Sequence, residues 1–591
     1  MSDAVTTPPI PTLADMQHWT WVMGRAQQLM LEHTARQMVA APAKMTAPPP
    51  SLAAQWPALA AFADPARIAQ AQVNLWTDGM AAWQQLLGGV TGAGSAARDK
   101  ADKDKRFNAA QWRDNPLFDM IRQSYVLISD RLLGGVDALE GVDEATREKL
   151  RFTTRAFVDA MSPSNFLATN PQVLEKTLET RGENLLAGLE HMLADIEKGQ
   201  LSHTDPQAFE VGRNIATTPG KVVKQTPLYQ LIQYTPVTAE VHETPLIIFP
   251  PWINRFYILD LNEKKSFIRW AVAQGLSVFV VSWKSADESM AETTMDDYVL
   301  AQVDAIDTVR DLLKVEDVHA IGYCVAGTTL AATLGLLEAR DEADKVASAT
   351  FFTAQVDFSE AGDLNLFVGD EQMKLIEQLS GDKGYMDGRY MAATFNILRG
   401  RDLIWSYVTN NYLLGEDYTP FDLLHWNGDT TNLPAKWHQA YLRDYYRDNK
   451  LVKPGGVSVD GTPIHLGKVK TPTYVQAGRE DHIAPAQSVW KITHHFQGPV
   501  RFVLAGSGHI AGVVNPPEAG KYQYWTNDDE VATLDEFVAG AKETKGSWWP
   551  DWIDWIEKKS DGMVPAKGAR IPGKGKLKAL EDAPGSYVRA R

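Results

Sequence analysis

One cysteine, Cys324, occurs in the 591 residues, within Gly322-Tyr323-Cys324-Val325-Ala326-Gly327. A short apolar run precedes it and a small-residue helical pattern continues to residue 337, so the spacing predicts a strand-to-helix turn with Cys324 at its tip. A side chain on such a turn is held out from a sheet edge, and the amides opening the helix point at whatever it attacks. By itself a lone cysteine is most often a small buried apolar group. Two later segments change that reading. Gly478-Arg479-Glu480-Asp481-His482 follows one β-branched run and offers an acid, and Gly506-Ser507-Gly508-His509 follows the next and offers a histidine. Thiolate is the reactive form, and a helix N-terminus with a neighbouring histidine lowers a thiol's pKa from roughly 8.5 toward neutrality. The expected roles are Cys324 as nucleophile, His509 as general base, and Asp481 as the group that orients His509 or acts on a substrate hydroxyl. His482 is the weaker base, because adjacent residues point their side chains apart. The Val325 amide is one expected oxyanion donor, and the loop 250–254 is expected to supply the second, at Ile253.

The choice of sulfur narrows the chemistry. Thiol attack on an oxygen ester is uphill because alkoxide leaves poorly, whereas attack on a thioester exchanges one thiolate for another. A thioester donor and acyl transfer are therefore expected.

These residues need a scaffold, and the chain supplies strands alternating with helices. Apolar or β-branched runs at 228–234, 245–249, 277–283, 318–322, 349–352, 473–476 and 500–505 are separated in part by helical patterns at 265–274, 295–313 and 325–337. That pattern implies an α/β class with a mainly parallel sheet covered on both faces. Nucleophile, acid and histidine in that chain order fit the α/β-hydrolase fold. The aromatic-rich stretch at about 358–450 interrupts the alternation and is read as an inserted cap. Residues 1–200 lack strand-like alternation and are read as a helical N-terminal domain, leaving 201–591 as the catalytic domain. Within the first part, 13–39 is a Met- and Trp-rich helix, 41–50 a Pro-rich break, 52–87 a second helical stretch, 88–97 a flexible connector and 99–106 a solvated charge run.

Composition excludes some classes. A net charge of -16 argues against nucleic acid as the main partner. One cysteine cannot form an intrachain disulfide, which suits a reducing compartment. No basic-then-apolar leader and no run long enough to span a bilayer are seen, so a cytoplasmic protein without a transmembrane segment is expected. No Cys/His cluster has metal-ligand spacing, and no metal is expected.

The box around Cys324 resembles the Gly-x-Cys-x-Gly-Gly box of polyhydroxyalkanoate synthases, with Ala326 in place of the first paired glycine. The resemblance runs from about residue 106 onward, through Val158-Asp159-Ala160-Met161-Ser162-Pro163-Ser164-Asn165-Phe166, Phe209-Glu210-Val211-Gly212-Arg213-Asn214, Val281-Ser282-Trp283 and Phe421-Asp422-Leu423-Leu424-His425-Trp426-Asn427. The Gly-Tyr-Cys-Val box and Ile258-Leu259-Asp260 look most like class I enzymes. It implies polymerisation of short-chain 3-hydroxyacyl-CoA such as 3-hydroxybutyryl-CoA, with Cys324 carrying the acyl group, His509 as base and Asp481 helping to activate the 3-hydroxyl. It further implies that Asp260 and Trp426 lie near the active site or in the cap, that the Trp-rich run 548–555 packs in the core or meets polymer, and that the enzyme is a homodimer on polyester granules. No cofactor is implied, CoA arriving with the substrate. Two other readings remain: a cysteine thioesterase of the same fold, and a non-catalytic granule scaffold.

Overall fold

The computed structural model describes residues 13–40, 95–560 and 562–590. The break expected at 41–50, the helical stretch at 52–87 and most of the connector at 88–97 lie outside them. The connector's last residues instead open the helix Ser95–Lys103. By backbone packing the chain divides into two units, one running to His203 with Ala393–Thr419 added, the other comprising Thr204–Ala392 and Pro420–Arg591.

The first unit is helical. Leu13–Ala40 is a single helix whose Val22 and Leu29 pack on Leu186 and Leu193 of the helix Glu183–Lys198. Asn170 caps Pro171–Glu179 by accepting from the Gln172 and Val173 amides, with proline at the first helical position. The charge run is not simply solvated: Arg106 reaches Asp104, Asp159 and Tyr125, and burial of that cluster ties 104–106 to the helices Pro116–Asp137 and Glu144–Ala160. The middle of the expected cap belongs to this unit, because Asn184 donates to the Leu413 carbonyl at 2.7 Å and Tyr412 to Asp195 at 2.7 Å.

The second unit is built on an eleven-stranded sheet. In chain order its strands are β1 (Gly220–Gln225), β2 (Tyr229–Tyr234), β3 (Leu246–Phe249), β4 (Val278–Trp283), β5 (Val318–Tyr323), β6 (Val346–Phe352), β7 (Thr473–Gly478), β8 (Val500–Ala505), β9 (Gln523–Thr526), β10 (Lys542–Lys545) and β11 (Glu581–Asp582). Their spatial order is β10-β9-β8-β7-β6-β5-β3-β4-β2-β1-β11. From β8 to β4 the pairs are parallel, and the flanking pairs are antiparallel. The middle strands are buried at nearly every position, as a sheet covered on both faces requires. The helices Met295–Leu313 and Val325–Ala339 contribute to one core face. Trp548, Trp549 and Trp552 are buried in the other. Among the described residues no helix is long and apolar enough to cross a membrane.

One buried histidine gives the fold a pH signature. His319 on β5 contacts the hydroxyls of Ser348 and Ser560 at 2.8 and 3.1 Å. Burial, aided by the nearby His242 and Lys559, pushes its pKa down to about 3. The unfolded chain takes up that proton near 6.5 and so binds more protons than the folded one between those values. Stability is therefore expected to fall as pH drops below about 6.5, by up to about 1.4 kcal/mol per pH unit from this residue. Urea midpoints at pH 7 and 4.5 check this: the loss on acidification should be smaller in His319→Gln than in wild type.

Candidate active site

β5 ends at Tyr323, and the helix Val325–Ala339 starts one residue after Cys324. Cys324 adopts φ 53°, ψ -126°, a conformation costly for any residue with a Cβ, so the surroundings must hold it there. Its amide donates to the Phe352 carbonyl of β6 at 2.9 Å, and its carbonyl accepts from Gly327 and Thr328. A Cβ on Gly322 would lie 2.5 Å from the Gly327 Cα, and one on Gly327 would lie 2.4 Å from the Ala354 Cβ. Both positions therefore require glycine. Ala326 differs: its side chain is buried in the core and its carbonyl accepts from Gln302 at 3.0 Å, so a methyl is accommodated where the family box has glycine. The Val325 N–H opens the helix and by position has no intrahelical acceptor.

The acid and histidine come from neighbouring parallel strands, β7 and β8, paired through Gly478 and Ala505. Beyond that pair the two loops stay tied, Arg479 donating to the Ala505 carbonyl and Glu480 to the Ser507 carbonyl. Asp481 Oδ1 accepts from the Ile483 and Ala484 amides at 2.8 and 2.9 Å, while Oδ2 meets His509 Nδ1 at 2.7 Å. The Cys324 sulfur lies near enough to His509 to contribute to its electrostatics. Burial alone would push the imidazole pKa down, but the Asp481 carboxylate and the Cys324 sulfur outweigh it, and the pKa is pushed up to about 10. The histidine loop is held from below: Trp548 and Trp549 donate to the Gly512 and Val513 carbonyls, and Tyr323 donates to the carbonyl of His509 itself. His482, adjacent to the acid, is not the ring bonded to Asp481 Oδ2.

The other sequence candidates have partners of their own in the second unit. Ile253 lies in the loop after β3, whose last residue Phe249 pairs with Gly322 two residues before the nucleophile. Trp252 beside it stacks on Tyr298 at 3.9 Å. Asp260 is fully enclosed and accepts from Thr218 and Ser266 hydroxyls, each at 2.6 Å; burial pushes its carboxyl up while those bonds oppose the shift. Trp426 is buried and donates to the Arg255 carbonyl at 2.6 Å. Sequence reasoning did not assign a role to Tyr441 and Tyr446, which are buried with their rings packed edge to face at 5.4 Å. They stand close enough to Cys324 that, after burial, its sulfur helps push both phenols up. Their signal was the aromatic spacing in a π-helical turn, Tyr441–Arg447, a rare element that often marks functional sites. Among the described residues no group of three or more His, Cys, Asp or Glu side chains could hold a metal ion.

This geometry suits thiol-mediated acyl transfer: a nucleophile at a helix N-terminus, a histidine near it, and a carboxylate bonded to the histidine. Residues 103–271 match the model of the poly-beta-hydroxybutyrate polymerase (PhaC) N-terminus, and 246–516 match that of the alpha/beta hydrolase fold. A poly(3-hydroxyalkanoate) polymerase subunit PhaC from Rhizobium meliloti is 46% identical over 90% of this chain and 87% of its own. The corresponding subunit from Cupriavidus necator is 42% identical over 89% of each. An alpha/beta fold family hydrolase from Bacillus anthracis aligns over 50% of this chain and 94% of its own, with 13% identity and a TM-score of 0.30. At such identity and coverage to the polymerases, this chain belongs to the poly(3-hydroxyalkanoate) polymerase family.

Proposed function

We propose that this acyltransferase builds polyester from short-chain 3-hydroxyacyl-CoA through a covalent Cys324 thioester. The Cys324 sulfur attacks the thioester carbonyl, giving a tetrahedral oxyanion that the Val325 and Ile253 amides receive. The C–S bond to CoA then breaks, and the departing thiolate takes its proton from the His509 imidazolium. In elongation His509 accepts the proton of an attacking 3-hydroxyl, an ester C–O bond forms, and the Cys324 thiolate leaves. The carrying observation is the Asp481–His509 hydrogen bond beside the Cys324 sulfur, which sits at a strained elbow.

Short-chain preference is motivated by the Gly-Tyr-Cys-Val box and residues 258–260, and the family resemblance motivates a homodimer at the granule surface. Leu117, Met120, Phe157 and Leu178 of the helical unit are large apolar side chains left exposed. The test is CoA release from a chain-length series of 3-hydroxyacyl-CoA with the product analysed. Polymer together with CoA, fastest for the four-carbon substrate, is expected, and both should vanish in Cys324→Ala. Free 3-hydroxybutyrate without polymer would instead identify a thioesterase.

A further inference from the structure

The loop 250–255 is anchored almost residue by residue. Trp283 Nε1 donates to the Pro250 carbonyl at 2.8 Å, and Trp426 Nε1 donates to that of Arg255 at 2.6 Å. Between them one hydroxyl straddles Ile253: Thr431 Oγ1 donates to the Trp252 carbonyl at 2.6 Å and accepts from the Asn254 amide at 2.9 Å. The Trp252 carbonyl and the Ile253 N–H belong to one planar peptide unit and point oppositely in a trans bond. Fixing the carbonyl on Thr431 therefore fixes the direction of the Ile253 N–H.

Thr431 is itself buried and lies on the returning arm of the cap. The arm is held by Arg255, which donates to Asp429 Oδ1 at 3.3 Å and to the Thr430 carbonyl at 3.4 Å. The same guanidinium reaches the Ala590 carbonyl at 2.6 Å, bringing the end of the described chain into the clamp. We propose that Thr431 is a positioning residue, through which the docked cap arm aims the Ile253 N–H and completes the oxyanion hole. This rests on the Cys324 thioester reading, in which that N–H receives the oxyanion.

The consequence is specific to steps that pass through a tetrahedral intermediate. Thr431→Val keeps the side chain's shape and deletes both hydrogen bonds, whereas Thr431→Ser keeps the hydroxyl. In Thr431→Val, kcat for CoA release from 3-hydroxybutyryl-CoA is expected to fall about 10- to 100-fold, short of the 10²–10³ for losing an oxyanion donor outright. KM should stay within about threefold, and Thr431→Ser should recover most of the rate. Alkylation of Cys324 by iodoacetamide displaces iodide directly and forms no oxyanion, so its rate should change less than about twofold. The proposal is overturned if Thr431→Val retains kcat within twofold, if alkylation falls in parallel, or if Thr431→Ser is no better than Thr431→Val. Should wild type release no CoA, the thioester reading fails by itself. The clamp is then tested with 4-nitrophenyl acetate, whose attack by Cys324 also forms an oxyanion, against the same alkylation control and the same outcomes.

Discussion

Cys324→Ser is expected to make polymer from 3-hydroxybutyryl-CoA at less than about one-thousandth of the wild-type rate while keeping its thermal midpoint. The fold should tolerate it, because the turn's demands fall on the backbone and on Gly322 and Gly327, and serine is nearly isosteric at the strained position. The chemistry should not. A serine hydroxyl holds its proton far more tightly than a thiol does, so the same base removes it far less readily as the attack begins. His509 owes part of its raised pKa to the Cys324 sulfur, and a neutral hydroxyl removes that contribution. Elongation suffers further, since passing an acyl group from a thioester to a hydroxyl runs downhill, while passing it from a serine ester exchanges one ester for another. The initial acylation and the polymer yield should therefore fall unequally, with polymer falling more. Polymer synthesis by Cys324→Ser within tenfold of wild type would refute the covalent thioester.

The elbow was legible in sequence because its constraints are local and steric. Close strand–helix approach demands Gly322 and Gly327, and an apolar run followed by small residues announces the turn. The middle strands were legible for a related reason: both of their faces are buried, so they read as continuous apolar runs. The edge strands β10 and β11, and their neighbours β9 and β1, were not. Lys542–Lys545 and Glu581–Asp582 are largely polar, since an edge strand faces solvent and charge there discourages pairing with other chains. The Asp481 and His509 loops were recognisable by following strands, but nothing local tells that Trp548 and Trp549 hold the histidine loop from residues 36 positions away. The same limit hid the packing of Ala393–Thr419 with the helical unit. Side-chain to backbone bonds spanning more than 200 residues, such as Asn184 to Leu413, leave no periodic trace. Thr431 is a further case, one hydroxyl holding a loop 177 residues away.

Asp481→Asn is expected to lower kcat by about 10³- to 10⁴-fold with little loss of stability. The carboxylate is already oriented by the Ile483 and Ala484 amides, which donate to Oδ1. An asparagine would offer its carbonyl oxygen to those same donors, preserving the loop, and would turn its NH₂ toward His509. Nδ1 must then accept rather than donate, so the single imidazole proton moves to the Nε2 that should take the sulfur's proton. The charge that raises the His509 pKa is lost at the same time, and burial, which pushes it down, prevails. Both effects leave Cys324 without a competent proton acceptor. Single-turnover kinetics separates this from a direct action of Asp481 on the 3-hydroxyl. If Asp481 orients the base, CoA release in the first turnover and the subsequent elongation should fall together. If it acts on the hydroxyl, first-turnover acylation should survive in Asp481→Asn and elongation alone should fail. With Oδ1 committed to two amides and Oδ2 to His509, the shared loss is the expected outcome, and intact first-turnover CoA release would overturn it.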